Sequence, residues 1–352
     1  MSQLRHPIVP PDGPRDCPFA VVGEAPGDEE ILRGKPFVGP SGRLLNRYLS
    51  AAGFRRGENV LVTNVFDYKL PGNSVKSIGV GARQRPRPVG DWYDPWASAQ
   101  VEIGCWIPPE HGRPALERLR DELGGVKAAL ACGGTAAWAL LGLRTAGRVG
   151  NLRGTVSESP LVPGLLVVVT WHPAAVLRNY GLSPLLWADI LKARRVLKAP
   201  AWEPPKVKVE LAQQTRDVEE FLWKARHHLC AVDIETHRGQ IDMIGFAVGN
   251  RALVVPFIAK DGSHWWLSEG QEWRVMRAIR DYLADPGAPK LFHNAAFDVW
   301  VLWEWWRMPV RGQVEDTMVA HHAFNPEMPK DLGTLASLYT DLPSWKSMRK
   351  EG

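Results

Sequence analysis

Apolar residues in this chain fall into short runs, each ending on glycine, proline or a single polar side chain, and these runs alternate with helix-period stretches. Phe19-Ala20-Val21-Val22 reads as a strand buried on both faces and stopped by Gly23, Pro26 and Gly27. A loop carrying Glu24, Asp28, Glu29 and Glu30 follows, then Pro36-Phe37-Val38-Gly39, with Ser41 as the N-cap of the amphipathic run Leu44, Leu45, Tyr48, Leu49. NVLVTN gives a second strand ending on Asn64. Pro114 to Leu123 is helical by pattern, VKAALACGG a third strand, TAAWALLG a short helix, and LLVVVT a strand that runs into His172-Pro173. Strand and helix in alternation predict a parallel α/β sheet. Glu24, Asn64 and His172 then stand at three strand ends, where open sheets of this kind bind ligands.

Between Ser74 and Pro109 the period is lost. GARQRPRPVGDWYDPW interleaves arginines with aromatic residues, which suits either a loop that tracks phosphates and stacks on bases or an aromatic-anchored surface loop. The proline-rich, charged stretch 199–214 reads as a linker, dividing the chain into domains 1–198 and 215–352. Beyond it, RDVEEFLWKARHH reads as a helix, and LCAVDIET, QIDMIGFAVGN and RALVVPF as an antiparallel meander. Asp233 and Glu235 lie two apart on its first strand, so both carboxylates face one way. LFHNAAFDVWVLWEWW places Asn294 and Asp298 one helical turn apart. Its tryptophans, Trp300, Trp303, Trp305 and Trp306, read as core and domain contacts. EDTMVAHHAF and LGTLASLYT read as helices.

Composition narrows the setting. At 352 residues and 45% hydrophobic content the chain can bury two cores. A net charge of +5 suits a polyanion partner without requiring one. Cys17, Cys105, Cys132 and Cys230 are scattered without a CxxC pair, which argues against a disulfide framework or zinc ribbon and for a reducing, cytoplasmic setting. No leader and no membrane-length apolar run is seen, so no membrane partner is expected.

Gly23-Glu24-Ala25-Pro26-Gly27, Gly34-Lys35-Pro36-Phe37-Val38-Gly39, Thr63-Asn64-Val65 and His172-Pro173-Ala174-Ala175-Val176-Leu177-Arg178 together closely resemble the family 4 uracil-DNA glycosylases, over roughly Phe19 to Leu197. The resemblance implies that Glu24 supports the attacking water, Phe37 stacks on an extruded base, Asn64 reads the base edge and His172 faces uracil O2. Glu30 falls on an acidic position of the family's pocket. Arg178 and the helix start at Ser41-Gly42 are candidate phosphate contacts. The family usually holds a four-cysteine iron-sulfur cluster. Here Lys69 occupies one ligand position, only Cys17 lies near the start, and Cys105 is at most a relic of the last ligand, so no iron-sulfur cluster is expected.

Asp233-Ile234-Glu235-Thr236 and His293-Asn294-Ala295-Ala296-Phe297-Asp298 resemble the first two motifs of the DEDD 3′-5′ exonucleases of DNA polymerase I type, which implies a ribonuclease H-like fold. In that family Asp233, Glu235 and Asp298 would hold Mg²⁺ and Asn294 would meet the exonuclease substrate. The late YxxxD motif is missing before Gly352, so the domain is expected to be incomplete and to have little exonuclease activity by itself. The alternative is that Asp316 or Asp341 supplies the fourth carboxylate. The pairing of modules looks like the amino-terminal part of certain phage family A DNA polymerases. That implies uracil-containing DNA as substrate, a DNA polymerase domain or subunit as partner, and the cytoplasm of a bacterial host. Rival readings are a non-catalytic uracil- or DNA-binding module and an active 3′-5′ exonuclease.

Overall fold

The computed structural model describes residues 7–87, 94–142, 149–199, 203 and 206–341. The centre of the arginine- and tryptophan-rich loop, 88–93, lies outside the described residues, as do 200–202 and 204–205 of the expected linker. The chain forms two compact units, Met1–Pro204 together with Gly333–Gly352, and Pro205–Leu332. Among the described residues no helix is long and apolar enough to cross a membrane.

The first unit is built on five strands: β1 (Phe19–Gly23), β2 (Leu61–Asn64), β3 (Ala128–Cys132), β4 (Val156–Glu158) and β5 (Leu166–Thr170), in the order β2-β1-β3-β5-β4. All but β4 run parallel. The antiparallel β4 was not expected from the apolar pattern, because three residues of which one is buried leave no periodic signal. Alternation explains the layering. Ala20 and Val22 of β1 join the core on one face, with Leu116, Leu119 and Trp138. Phe19 and Val21 join the core on the other, with Leu45, Leu49, Leu186 and Ile190. Both faces of the sheet are therefore covered by helices, as a parallel sheet requires. The second strand lies on one side of β1 and the third on the other, so the chain reverses direction at β1. This leaves a crevice outside the carboxyl ends of β1 and β3.

Two helices start at residues other than those the sequence pattern predicts. Ser41 is not an N-cap: the helix Pro40–Ala51 is capped by Gly39 and opens on Pro40, so Ser41 is its second residue. The helix expected from Pro114 begins at Pro109, whose missing N–H costs nothing in a first turn.

The second unit is a six-stranded mixed sheet of β6 (Lys208–Leu211), β7 (Cys230–His237), β8 (Gln240–Val248), β9 (Arg251–Pro256), β10 (Lys290–Phe292) and β11 (Val314–Asp316), ordered β11-β10-β7-β8-β9-β6. The predicted meander is β7-β8-β9. A strand inside the stretch read as linker, β6, pairs in parallel with β9. Val232, Ile234, Ile244 and Phe246 pack with Val275, Ile279 and Tyr282 of the helix Glu269–Leu283. Asp233 and Glu235 are exposed between these buried neighbours. On the helix Ala295–Trp306, Val301 and Leu302 enter the core, whereas Trp300 and Trp303 are about half exposed, against the expectation of burial.

Candidate active site

The crevice is a cavity of about 510 Å³ that brings together Glu24, Glu30, Phe37, Ser41, Asn64, His172 and Arg178, all seven residues expected there. Register explains the meeting of the strand ends. Gly23 pairs with Asn64 across β1 and β2, and Cys132 pairs with Thr170 across β3 and β5, so the residues just beyond each strand lie side by side.

Close backbone approach decides what can stand at Gly23. A Cβ there would lie 2.4 Å from Asn64 Oδ1 and 2.5 Å from Phe37 Cζ. Phe37 has φ of 52°, a left-handed conformation that costs a non-glycine residue about 1–2 kcal/mol. Its surroundings overcome that cost. Arg56 donates to the carbonyl of Phe37 at 2.8 Å and to that of Pro36, and its Nε meets Asp12 at 2.7 Å. Hydrogen bonds from a charged donor contribute about 1.5–3 kcal/mol each, enough to hold the strained turn. Burial pushes the Asp12 carboxyl up, but Arg56 and Lys35 outweigh it and keep the group below the usual carboxylate range.

Glu30 acts as a brace for the same loop. Its two oxygens accept from the N–H groups of Gly27 at 3.1 Å, Val38 at 3.0 Å and Gly39 at 2.8 Å. The Phe37 ring stacks on the His172 ring, with centroids 5.7 Å apart.

His172 caps the helix Pro173–Arg178 by accepting at Nδ1 from the N–H of Ala174 at 3.2 Å. An accepting Nδ1 carries no proton, so the neutral ring holds its hydrogen on Nε2 and has that donor to offer. Burial, with the nearby charge of Arg178, pushes the imidazole pKa down to about 4. The ring is therefore neutral at pH 7.

Glu24 is also largely enclosed. Burial raises its carboxyl above the usual glutamate range, the charge of Glu102 adds to this, and the hydroxyl of Thr135, which donates to Oε2, pulls the other way. Asn64 is buried at the end of β2, and its amide has no hydrogen-bond partner among the described residues. Its backbone is held from beneath: Arg118 donates to the carbonyls of Asn64 and Val65 at 2.7 and 2.8 Å, and Glu122 accepts from Thr63.

Thr135, Arg56, Asp12 and Arg118 were not singled out from the sequence. Thr135 was within reach, since it follows the carboxyl end of a strand whose neighbours all deliver site residues. Arg56 and Arg118 gave no signal, because a loop or helix arginine reads as solvated.

The four cysteines are Cys17, Cys105, Cys132 and Cys230. All four are buried and free, Cys17 donates to the carbonyl of Phe19, and no three His, Cys, Asp or Glu side chains among the described residues converge as a metal-holding group. Lys69, at the expected ligand position, pairs with Asp28.

A family model described as the uracil DNA glycosylase superfamily matches residues 10–195, over half of the chain. The type-4 uracil-DNA glycosylase of Pyrobaculum aerophilum is 30% identical over 196 residues, covering 54% of this chain and 83% of that protein. The chain belongs to the uracil DNA glycosylase superfamily. The corresponding protein of Archaeoglobus fulgidus is 46% identical over 73 residues, 21% of this chain and 36% of the relative. A second family model, 3′-5′ exonuclease, matches residues 208–351. The solved structure of RNase D from Escherichia coli is similar at a TM-score of 0.32 and 15% identity, covering 41% of this chain and 36% of that one.

In the exonuclease-family unit the expected acids sit on the expected elements. Asp233 and Glu235 project from β7. Asp298 is buried, accepts from the N–H of Ile234 at 3.3 Å, and is pushed up to about 7 by burial and by the charge of Asp233. Asp298 feels the negative charges of both Asp233 and Asp316, while no three His, Cys, Asp or Glu side chains among the described residues meet as a metal-holding group. Asn294 is left-handed at the head of its helix, its N–H donating to Asp316. Asp316 also accepts from the N–H groups of Ala295, Met318 and Val319, and Asp341 pairs with Arg195 at 2.6 Å. Both alternative fourth carboxylates therefore have partners within the chain.

Proposed function

We propose that the first unit is a uracil-DNA glycosylase, hydrolysing the N-glycosidic bond of uracil in DNA. The observation that carries this reading is the meeting, in one cavity, of an aromatic face, an unpaired amide, a neutral histidine and a buried carboxylate. Cleaving that bond requires the nucleotide to leave the stack, at a cost of a few kcal/mol, and Phe37 offers the surface to receive the base. The Asn64 amide donates to O4 and accepts from N3–H, a pairing that the amino edge of cytosine cannot satisfy. As the bond breaks, negative charge grows on uracil O2, where His172 Nε2–H donates without giving up a proton. The Glu24 carboxylate orients water and opposes the cationic sugar. Arg178 and the Ser41 helix start meet the flanking phosphates.

Oligonucleotides carrying a single uracil, thymine or cytosine test this reading. Free base should be released from the uracil strand and not from the cytosine strand. Equal release from all three, or from none, would overturn it.

The pH profile tests the role of Glu24. An ionised carboxylate is required and burial raises its pKa, so excision should fall on acidification with a midpoint above the usual glutamate range. The Thr135 hydroxyl favours the ionised form. Thr135→Val should therefore move the midpoint to higher pH, and an unmoved midpoint would assign the acid limb to another group.

We infer further that the second unit releases no nucleotides by itself. Asp298 is engaged by the Ile234 N–H, while Asp316 and Asp341 have other partners. A labelled single strand with Mg²⁺ should keep its 3′ end. Shortening that disappears in Asp233→Ala would contradict this.

A further inference from the structure

The helix Leu332–Tyr339 falls inside the stretch matched by the exonuclease family, yet from Gly333 onward it groups with the glycosylase unit. Its docking site is a buried set of charges. Lys192 donates to the carbonyls of Ser337 and Thr340 at the helix end, and to that of Gly154 at 2.8 Å, so its ammonium caps the helix carboxyl end. Arg153 donates to the Ser337 hydroxyl at 2.7 Å and grips both oxygens of Asp189, the Arg153 and Asp189 side chains being at most 2% exposed. The second oxygen of Asp189 also accepts from the Thr170 hydroxyl at 2.8 Å. Thr170 ends β5, two residues before His172, and its carbonyl accepts from the N–H of Gly133 at 2.9 Å.

Buried cations are tolerated only while their hydrogen bonds are met. Without this helix Lys192 loses two of its three carbonyls and Arg153 one of its acceptors, so the Arg153–Asp189–Thr170 arrangement has to shift. We propose that the helix Leu332–Tyr339 is a positioning element of the glycosylase, and that its docking, through Lys192, Arg153 and Asp189, sets the end of β5 and the place of His172. The second half of the chain thereby governs excision through its returning helix. This rests on the glycosylase reading only for its effect on rate.

Ser337→Leu in the full chain puts a bulky apolar group where the hydroxyl meets Arg153. Amide hydrogen exchange should quicken both in 333–341 and in 166–178. The kcat for uracil excision should fall on the order of tenfold to a hundredfold with KM unchanged, as small displacements of a reacting group do, and Ser337→Thr, which keeps the hydroxyl, should behave as wild type. Faster exchange in 333–341 alone, or none there, would overturn the proposal, as would an unchanged kcat in a chain that excises uracil. If the unaltered chain excises no uracil, the glycosylase reading fails, while coupled exchange in the two segments still decides this one. Lys192→Met, read the same way, decides it if Ser337→Leu does not fold.

Discussion

Single-turnover excision of uracil by His172→Ala is expected to fall on the order of a hundred- to a thousandfold, the usual loss when one preorganised donor to a developing oxyanion is removed. The effect should be large because the ring is held in one tautomer by Ala174, lies against Phe37 and is neutral at working pH. A donor that need not lose a solvent shell or a proton acts at full strength in the transition state. The loss should appear in kcat, since O2 carries its charge only as the bond breaks. His172→Gln, which retains an N–H donor, should recover part of it. Asn64→Ala should instead erase discrimination, narrowing the preference for uracil over cytosine. If His172→Ala excises uracil at the wild-type rate and Asn64→Ala keeps the wild-type preference for uracil over cytosine, the mechanism is wrong.

The second large effect is expected from a single methyl group. Gly23→Ala places a Cβ within 2.4 Å of Asn64 Oδ1 and within 2.6 Å of two Phe37 ring atoms, so both side chains must move. A misplacement of about 1 Å at a reacting group costs on the order of a hundredfold in rate. The fold should survive, because overpacking a core costs about 1–3 kcal/mol and the change sits at the end of a strand that is otherwise fully buried. A hundredfold loss of kcat/KM with native circular dichroism and a melting temperature lowered by a few degrees is the expected result. Near-wild-type kinetics would mean that the observed placement of Phe37 and Asn64 is not the working one. A comparable methyl at Gly42 would meet the Phe37 carbonyl at 2.0 Å and should damage the same loop from its other side.

What could be read from the sequence follows a physical division. Glu24, Asn64 and His172 were legible because each ends a buried apolar run, and runs of that kind imply a parallel sheet whose strand ends converge. The braces were not legible. Arg56 reaches an aspartate 44 positions earlier in the chain, and only folding shows that its guanidinium holds Phe37. Glu30 was expected to serve the substrate, yet three backbone N–H groups claim its oxygens. A carboxylate that braces a loop and one that serves a ligand look the same in a sequence. The strand Lys208–Leu211 was hidden by its mostly exposed side chains, and it exists through pairing with Arg251–Pro256. The last helix has the periodicity expected of it, but nothing in the pattern tells which unit it joins.

The most direct test is a labelled oligonucleotide with one uracil, incubated with the full chain in EDTA and then treated with alkali. The glycosylase groups proposed here, Glu24, Phe37, Asn64 and His172, all come from the chain itself, while chelation silences a metal-dependent nuclease. A single cut at the uracil is the predicted result. An uncut strand, with the protein folded and still binding the oligonucleotide, would contradict the account and leave a module that binds DNA without cleaving the glycosidic bond.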